Sequence, residues 1–194
     1  MRITLPESVH RYCTDARIAS AVDILLSGKA PKMPDRLQWD ELEDFYRACL
    51  AAQQTRIEWA IAMNGLWDAI FANQIDSWRP STIDQQAEDS EIRLDAEYLW
   101  TEGEFTRDFT RGDFSIQLQV EFISDEGIRA NALLWNSGKT VRVPLPEGAE
   151  LVGDWTCSAW LPIGKMPDLD LDQIRSQTQA AIAAASRVAE MQAS

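Results

Sequence analysis

One histidine, His10, stands in 194 residues, beside Arg11 on an opening helical pattern. That scarcity excludes multi-histidine zinc sites and HExxH proteases, and any Ser-His triad in which His10 lacks a partner of plausible placement; a surface position is expected for His10. Cysteine is nearly as scarce. Cys13, Cys49 and Cys157 are an odd, widely spaced set with no CxxC pair, which argues against a disulfide framework or a zinc ribbon. No run reaches the roughly 18 apolar residues that a membrane span needs. The opening stretch MRITLPESVHRYC lacks the apolar segment of a secretory signal. A reducing cytoplasm is the expected location.

Positive charge is also short, with 18 Lys and Arg against 31 Asp and Glu, a net charge of −13. Phosphates would be repelled, so direct binding to nucleic acid or to an anionic membrane is not expected. No glycine-rich phosphate loop is present. The SGKT at Ser137–Thr140 has Leu133 where the pattern requires glycine, and strand patterns flank it on both sides, so it reads as a hairpin turn. No EF-hand pattern or internal repeat occurs, and no cofactor is expected.

What is present is an ordinary globular composition, 45% apolar and 25% charged, in a chain long enough to bury about 70% of its extended surface. The stretch LPESVHRYCTDARIASAVDILLSG has helical spacing and ends at Gly28. A second, long helix starts near Asp40, with Asp40 and Glu43 reading as a capping box. Its stripe of Leu42, Phe45, Cys49, Ala52, Ile57, Ala60, Ile61, Trp67, Ile70 and Phe71 is wide enough for burial on more than one side. Gly65 is a point where it could loosen. The two helices are expected to pair as an antiparallel hairpin.

Period-two patterning takes over after Pro80. Phe114, Ile116, Leu118, Val120 and Phe122 alternate with Ser115, Gln117, Gln119 and Glu121, which marks a strand. The turn Ser124–Gly127 leads into IRANALLW, with Ile128, Ala130, Ala132 and Leu134 on one face. TVRVPL and ELVGDWTCSAWL follow as further strands, Pro144 holding the first of them to an edge or an end. Links of about 3–5 residues imply antiparallel order. The segment Glu91–Trp100 also alternates, with its carboxylates on one side.

The alanine-rich end is helical. Its narrow seam of Ile174, Thr178, Ala181, Ala185 and Val188 suits either the protein's own sheet or a homodimer through this helix. The expected fold is α+β: an N-terminal helical hairpin (1–78), an antiparallel meander of about five strands (79–167) and a C-terminal helix (168–194), in one compact domain. Helices should cover the apolar sheet face and leave the other partly wet.

The acidity is not spread evenly. Residues 76–130 hold 14 acids and 5 bases, a net of −9, while the segments on either side carry −2 each. A general solubility bias would be more uniform. The candidate partner-binding set is therefore Glu91, Asp95, Glu97, Glu102, Glu104, Asp108 and Glu121, with Trp135 and Trp160 as exposed aromatic anchors. Trp59 and Trp67 are assigned to the core, and Trp155 to the same face as Leu151, Cys157 and Leu161.

The leading functional expectation is a non-enzymatic acidic module that docks on a basic protein surface. One concrete version is a phage-type inhibitor that imitates nucleic acid, its carboxylates standing in for phosphates in the cleft of a nucleic-acid-binding protein. An acidic dimeric chaperone or assembly factor is the second expectation. A carboxylate-dependent hydrolase or metal-dependent enzyme using Glu91, Asp95 and Glu97 is the third.

Overall fold

A computed structural model describes residues 1–26, 38–80, 104–123 and 126–192. The first expected helix is two. α1 (Glu7–Thr14) and α2 (Ala16–Leu26) are separated by Asp15, whose backbone is extended at φ −122° and ψ 104°. The cause is a side-chain cap: the Asp15 carboxylate accepts the Arg17 backbone N–H at 3.0 Å and pairs with the Arg17 guanidinium at 3.1 Å. An aspartate that satisfies an orphan donor starts a new helix more readily than it continues an old one. Those bonds from Arg17 hold the Asp15 carboxyl below its ordinary pKa.

α3 (Trp39–Phe71) spans 33 residues. Its capping box is formed by Gln38 and Glu41, not by Asp40 and Glu43, with the Gln38 N–H donated to the Glu41 carboxylate at 2.9 Å. Gly65 does not interrupt it. A Cβ added there would meet nothing within 4 Å, so Gly65→Ala is expected to raise stability by about 0.5–1 kcal/mol. Urea titration would show a higher midpoint at an unchanged slope.

The main sheet has seven strands: β2 (Arg79–Pro80), β3 (Glu104–Arg111), β4 (Phe114–Ile123), β5 (Gly127–Asn136), β6 (Lys139–Thr140), β7 (Glu150–Val152) and β8 (Trp155–Cys157). All its pairings are antiparallel, in the order β2-β3-β4-β5-β8-β7, with β6 sharing the free edge of β5. A second small sheet joins β1 (Arg2–Thr4) to β9 (Asp168–Asp170), and α4 (Asp172–Gln192) follows. The strand expected around Glu91–Trp100 lies outside the described residues.

Two expected strands are corrected. Of TVRVPL only Thr140 joins the ladder, together with the preceding Lys139. ELVGDWTCSAWL is a hairpin rather than one strand: Gly153, at φ 60°, opens a two-residue turn that pairs Val152 with Trp155 and Leu151 with Thr156. The reversal puts Leu151 on the opposite face from Trp155 and Cys157. Ser137 and Gly138, both at positive φ, close the β5–β6 hairpin, the backbone that a two-residue type I′ turn requires.

One core joins the helices to the sheet. Trp59, Met63, Leu66, Trp67, Ile70 and Phe71 of α3 are buried with Phe105, Phe109, Ile116, Leu118, Val120, Ile128 and Leu134 of the strands. α4 closes the cluster with Ile174, Ala181, Ile182, Ala185 and Ala189. Its seam is therefore filled within the chain, against α3 and β5. α1 crosses α3 through a Ser8–Glu58 hydrogen bond and an edge-to-face contact of Tyr12 with Trp59. Ser8, and then Gln54, hold the Glu58 carboxyl below its usual range. His10 is half-buried, its Nε2 donating to the Gly164 carbonyl at 2.8 Å. Among the described residues no helix is long and apolar enough to cross a membrane.

Candidate functional site

The pairing register decides which candidate residues share a surface. On the side of the sheet away from the α3 core, β3 contributes Thr106 and Asp108, and its first residue, Glu104, holds the register position opposite Glu121. β4 contributes Gln117, Gln119 and Glu121, and β5 contributes Arg129, Asn131, Leu133 and Trp135. Asp108, Glu121 and Trp135 are thus brought to one face by strand alternation. Glu91, Asp95, Glu97 and Glu102 lie outside the described residues.

This face is less wet than expected. Gln119, Asn131, Leu133 and Cys157 along its middle are all buried. The amide of Asn131 donates to Gln119 Oε1 and, at 3.0 Å, to Glu121 Oε2. Burial pushes the Cys157 thiol above its ordinary pKa, which leaves little thiolate for chemistry at neutral pH. The Cys13 thiol is pushed up to about 12 by the same cause.

Glu121 needs the firmest correction. It is not an open docking carboxylate, because Arg129 stands directly opposite it in the register and donates from Nε at 2.7 Å. The same guanidinium reaches Glu150 at 3.2 Å and lies over the Trp160 ring, 4.4 Å from its centroid. Trp160 is half-buried through that contact, so its anchor role is internal. Trp135 remains exposed at the far end of β5. Asp108 is half-buried.

Sequence reasoning missed Arg129 as the hub of this face. It also misjudged α3. Ile57 and Ile61, assigned to the buried stripe, point to solvent together with Trp39, Tyr46 and Leu50. The spacing 39, 50, 61 and 46, 57 was the available signal. On another side of α3, a groove between α2 and α3 is lined by Ile18, Ala21, Val22, Leu25, Ala48 and Ala51. Among the described residues no group of three or more His, Cys, Asp or Glu could hold a metal ion. Compared with known proteins, the chain matches no family model, no curated protein and no solved structure.

Proposed function

We propose that the protein is a non-enzymatic binding module whose acidic segment docks on a basic surface of another protein. The observation that carries this reading is the net charge of −9 within residues 76–130 of a chain whose other parts are nearly balanced. The described strands support it by setting Asp108 on the same face of the sheet as Trp135. With Glu121 held by Arg129, the docking charge falls to the other acids of residues 76–130. A nucleic-acid-binding protein is a fitting partner, since carboxylates spaced along a surface can occupy a cleft that receives phosphates. Such an encounter is steered by long-range attraction and weakens with salt.

Affinity capture from lysate at about 50 mM and about 300 mM salt tests it, a range over which the screening length falls from well above to below 8 Å. Basic proteins captured at low salt and released at high salt are expected. Captured proteins that are not basic, or retention indifferent to salt, would overturn the reading. The chaperone or assembly-factor reading is favoured by the α2–α3 groove, and it calls for capture that survives salt because apolar contacts carry it.

A further inference from the structure

Trp39, Tyr46, Leu50, Ile57 and Ile61 are 87%, 65%, 52%, 47% and 54% exposed. They recur at steps of 7, 4, 7 and 4, so the pattern repeats every 11 residues, or about 3.67 residues per turn over three turns. That is close enough to the 3.6 residues of a turn to place all five in one narrow line along the helix. The buried side chains of α3, among them Ala52, Trp59, Met63 and Ile70, lie on the opposite side. α3 is thus apolar on two faces. Its own fold uses one, and the other runs bare for about 33 Å.

We propose that this bare stripe is the contact surface for a second copy of the chain, with α3 packed antiparallel on α3 and Leu50 near the two-fold axis. A straight apolar line of this length fits a long helix better than a rounded surface, and each copy carries such a helix with the same line on it. Three of its positions are symmetric about Leu50: Trp39 and Ile61 are each 11 residues from it, so Trp39 of one copy would lie beside Ile61 of the other, while Tyr46 meets Gln54 and Ile57 meets Glu43. A hollow lined by Trp39, Leu42 and Tyr46, with Asp40, Glu43 and Arg47 around them, offers a place for that isoleucine. A two-fold contact uses every residue twice.

The exposed area of the five side chains is roughly 600 Å² per copy, so pairing removes about 1,200 Å², the lower edge for a specific interface. Charge selects the direction. Asp40, Glu41, Glu43 and Asp44 crowd the first turns of α3, with Arg47 paired to Glu43. Parallel packing would bring these acidic turns of two copies together. Antiparallel packing sets them at opposite ends and opposes the helix dipoles. The inference uses no residue of the acidic segment, so it stands or falls apart from the docking function.

Sedimentation of the purified protein between about 1 and 200 μM tests it, since K_d values in this range are typical of modest interfaces. The expected result is a species of twice 21.9 kDa. Leu50→Glu and Tyr46→Glu should each weaken association at least 30-fold, about the effect of removing a hot-spot side chain, with an unchanged circular dichroism spectrum. Tyr46 is exposed enough to be replaced without touching the core. Leu50→Cys in a Cys49→Ala background should cross-link two copies under mild oxidation, and Arg56→Cys in that background should not. A monomer at 200 μM would leave the stripe to some other protein and overturn the pairing. A dimer that persists in both glutamate variants, or a Leu50→Cys variant that fails to cross-link, would do the same.

Discussion

Trp67→Ala is expected to cost about 3–5 kcal/mol of unfolding free energy, the range for emptying a buried aromatic site. Trp67 is 2% exposed and joins three layers of contact. Its ring stacks on Phe109 at 5.8 Å and tilts against Phe71 at 5.1 Å, while its indole N–H donates to the Leu118 carbonyl at 3.0 Å. The Arg107 guanidinium lies 4.5 Å from the ring centroid and also donates to Asn64 at 2.6 Å. Removing the ring therefore opens a cavity between α3 and β3–β4 and takes away the surface on which Arg107 rests. Trp67→Phe isolates the polar part: most of the packing stays, and loss of the hydrogen bond should cost about 1–2 kcal/mol. Urea unfolding measures both. A loss below about 1 kcal/mol for the alanine variant would mean that α3 does not seat on the sheet through this residue.

The readable parts of the fold were those with strong periodicity. β4 and β5 alternate cleanly, and the even residues of both face the core. α3 is long enough that its apolar spacing was plain. Short elements carry no period: β1 and β9 are three residues each and hold together only because Ile3 meets Leu169 from the far end of the chain. The break at Asp15 depended on recognising a cap inside a run of helix formers, where propensity and pattern both favoured continuity. The β7–β8 hairpin was hidden because Gly153–Asp154 is the shortest turn that still reverses a strand.

The candidate face shows how much rests on a single residue of register. A turn taken as Ser124–Gly127 pairs Ile123 with Ile128, which sets Glu121 opposite Ala130 and leaves it unanswered. The structure pairs Ile123 with Gly127 instead, and by the same count Glu121 meets Arg129. Gly127 makes the tighter closure possible. At φ 112° it brings the backbone so near Leu161 that an added Cβ would fall 2.2 Å from its carbonyl oxygen. A one-residue slip turns every side chain to the other face, so the alternation of β4 was legible while the residue opposite Glu121 was set by the closure at Gly127. The exposed line on α3 was missed for a different reason. Spacing marks two apolar sides of a helix equally well and does not say which of them the fold will cover.

The Glu121–Arg129 pair also carries the second large effect. Arg129→Ala is expected to destabilise the protein by about 2–4 kcal/mol, somewhat below the range for a fully buried pair. The Arg129 side chain is 11% exposed and that of Glu121 22%, so Glu121 would be left with only Asn131 in a place water reaches poorly. Glu150, at 58%, would simply be hydrated. Trp160 would lose the cation over its face at a further small cost. Arg129→Lys should recover only part of the loss, because an ammonium cannot lie flat on the indole while reaching both acids. The decisive variant is Glu121→Gln with Arg129→Met. It removes both charges while keeping similar volume, so its cost should be well under the sum of the single changes. Urea unfolding of the four proteins closes the cycle. Additive losses would show that the two side chains are not coupled and would return Glu121 to the docking surface. With coupling, the double variant should capture the basic partner as well as the wild type does, because the charge that meets the partner lies on other residues.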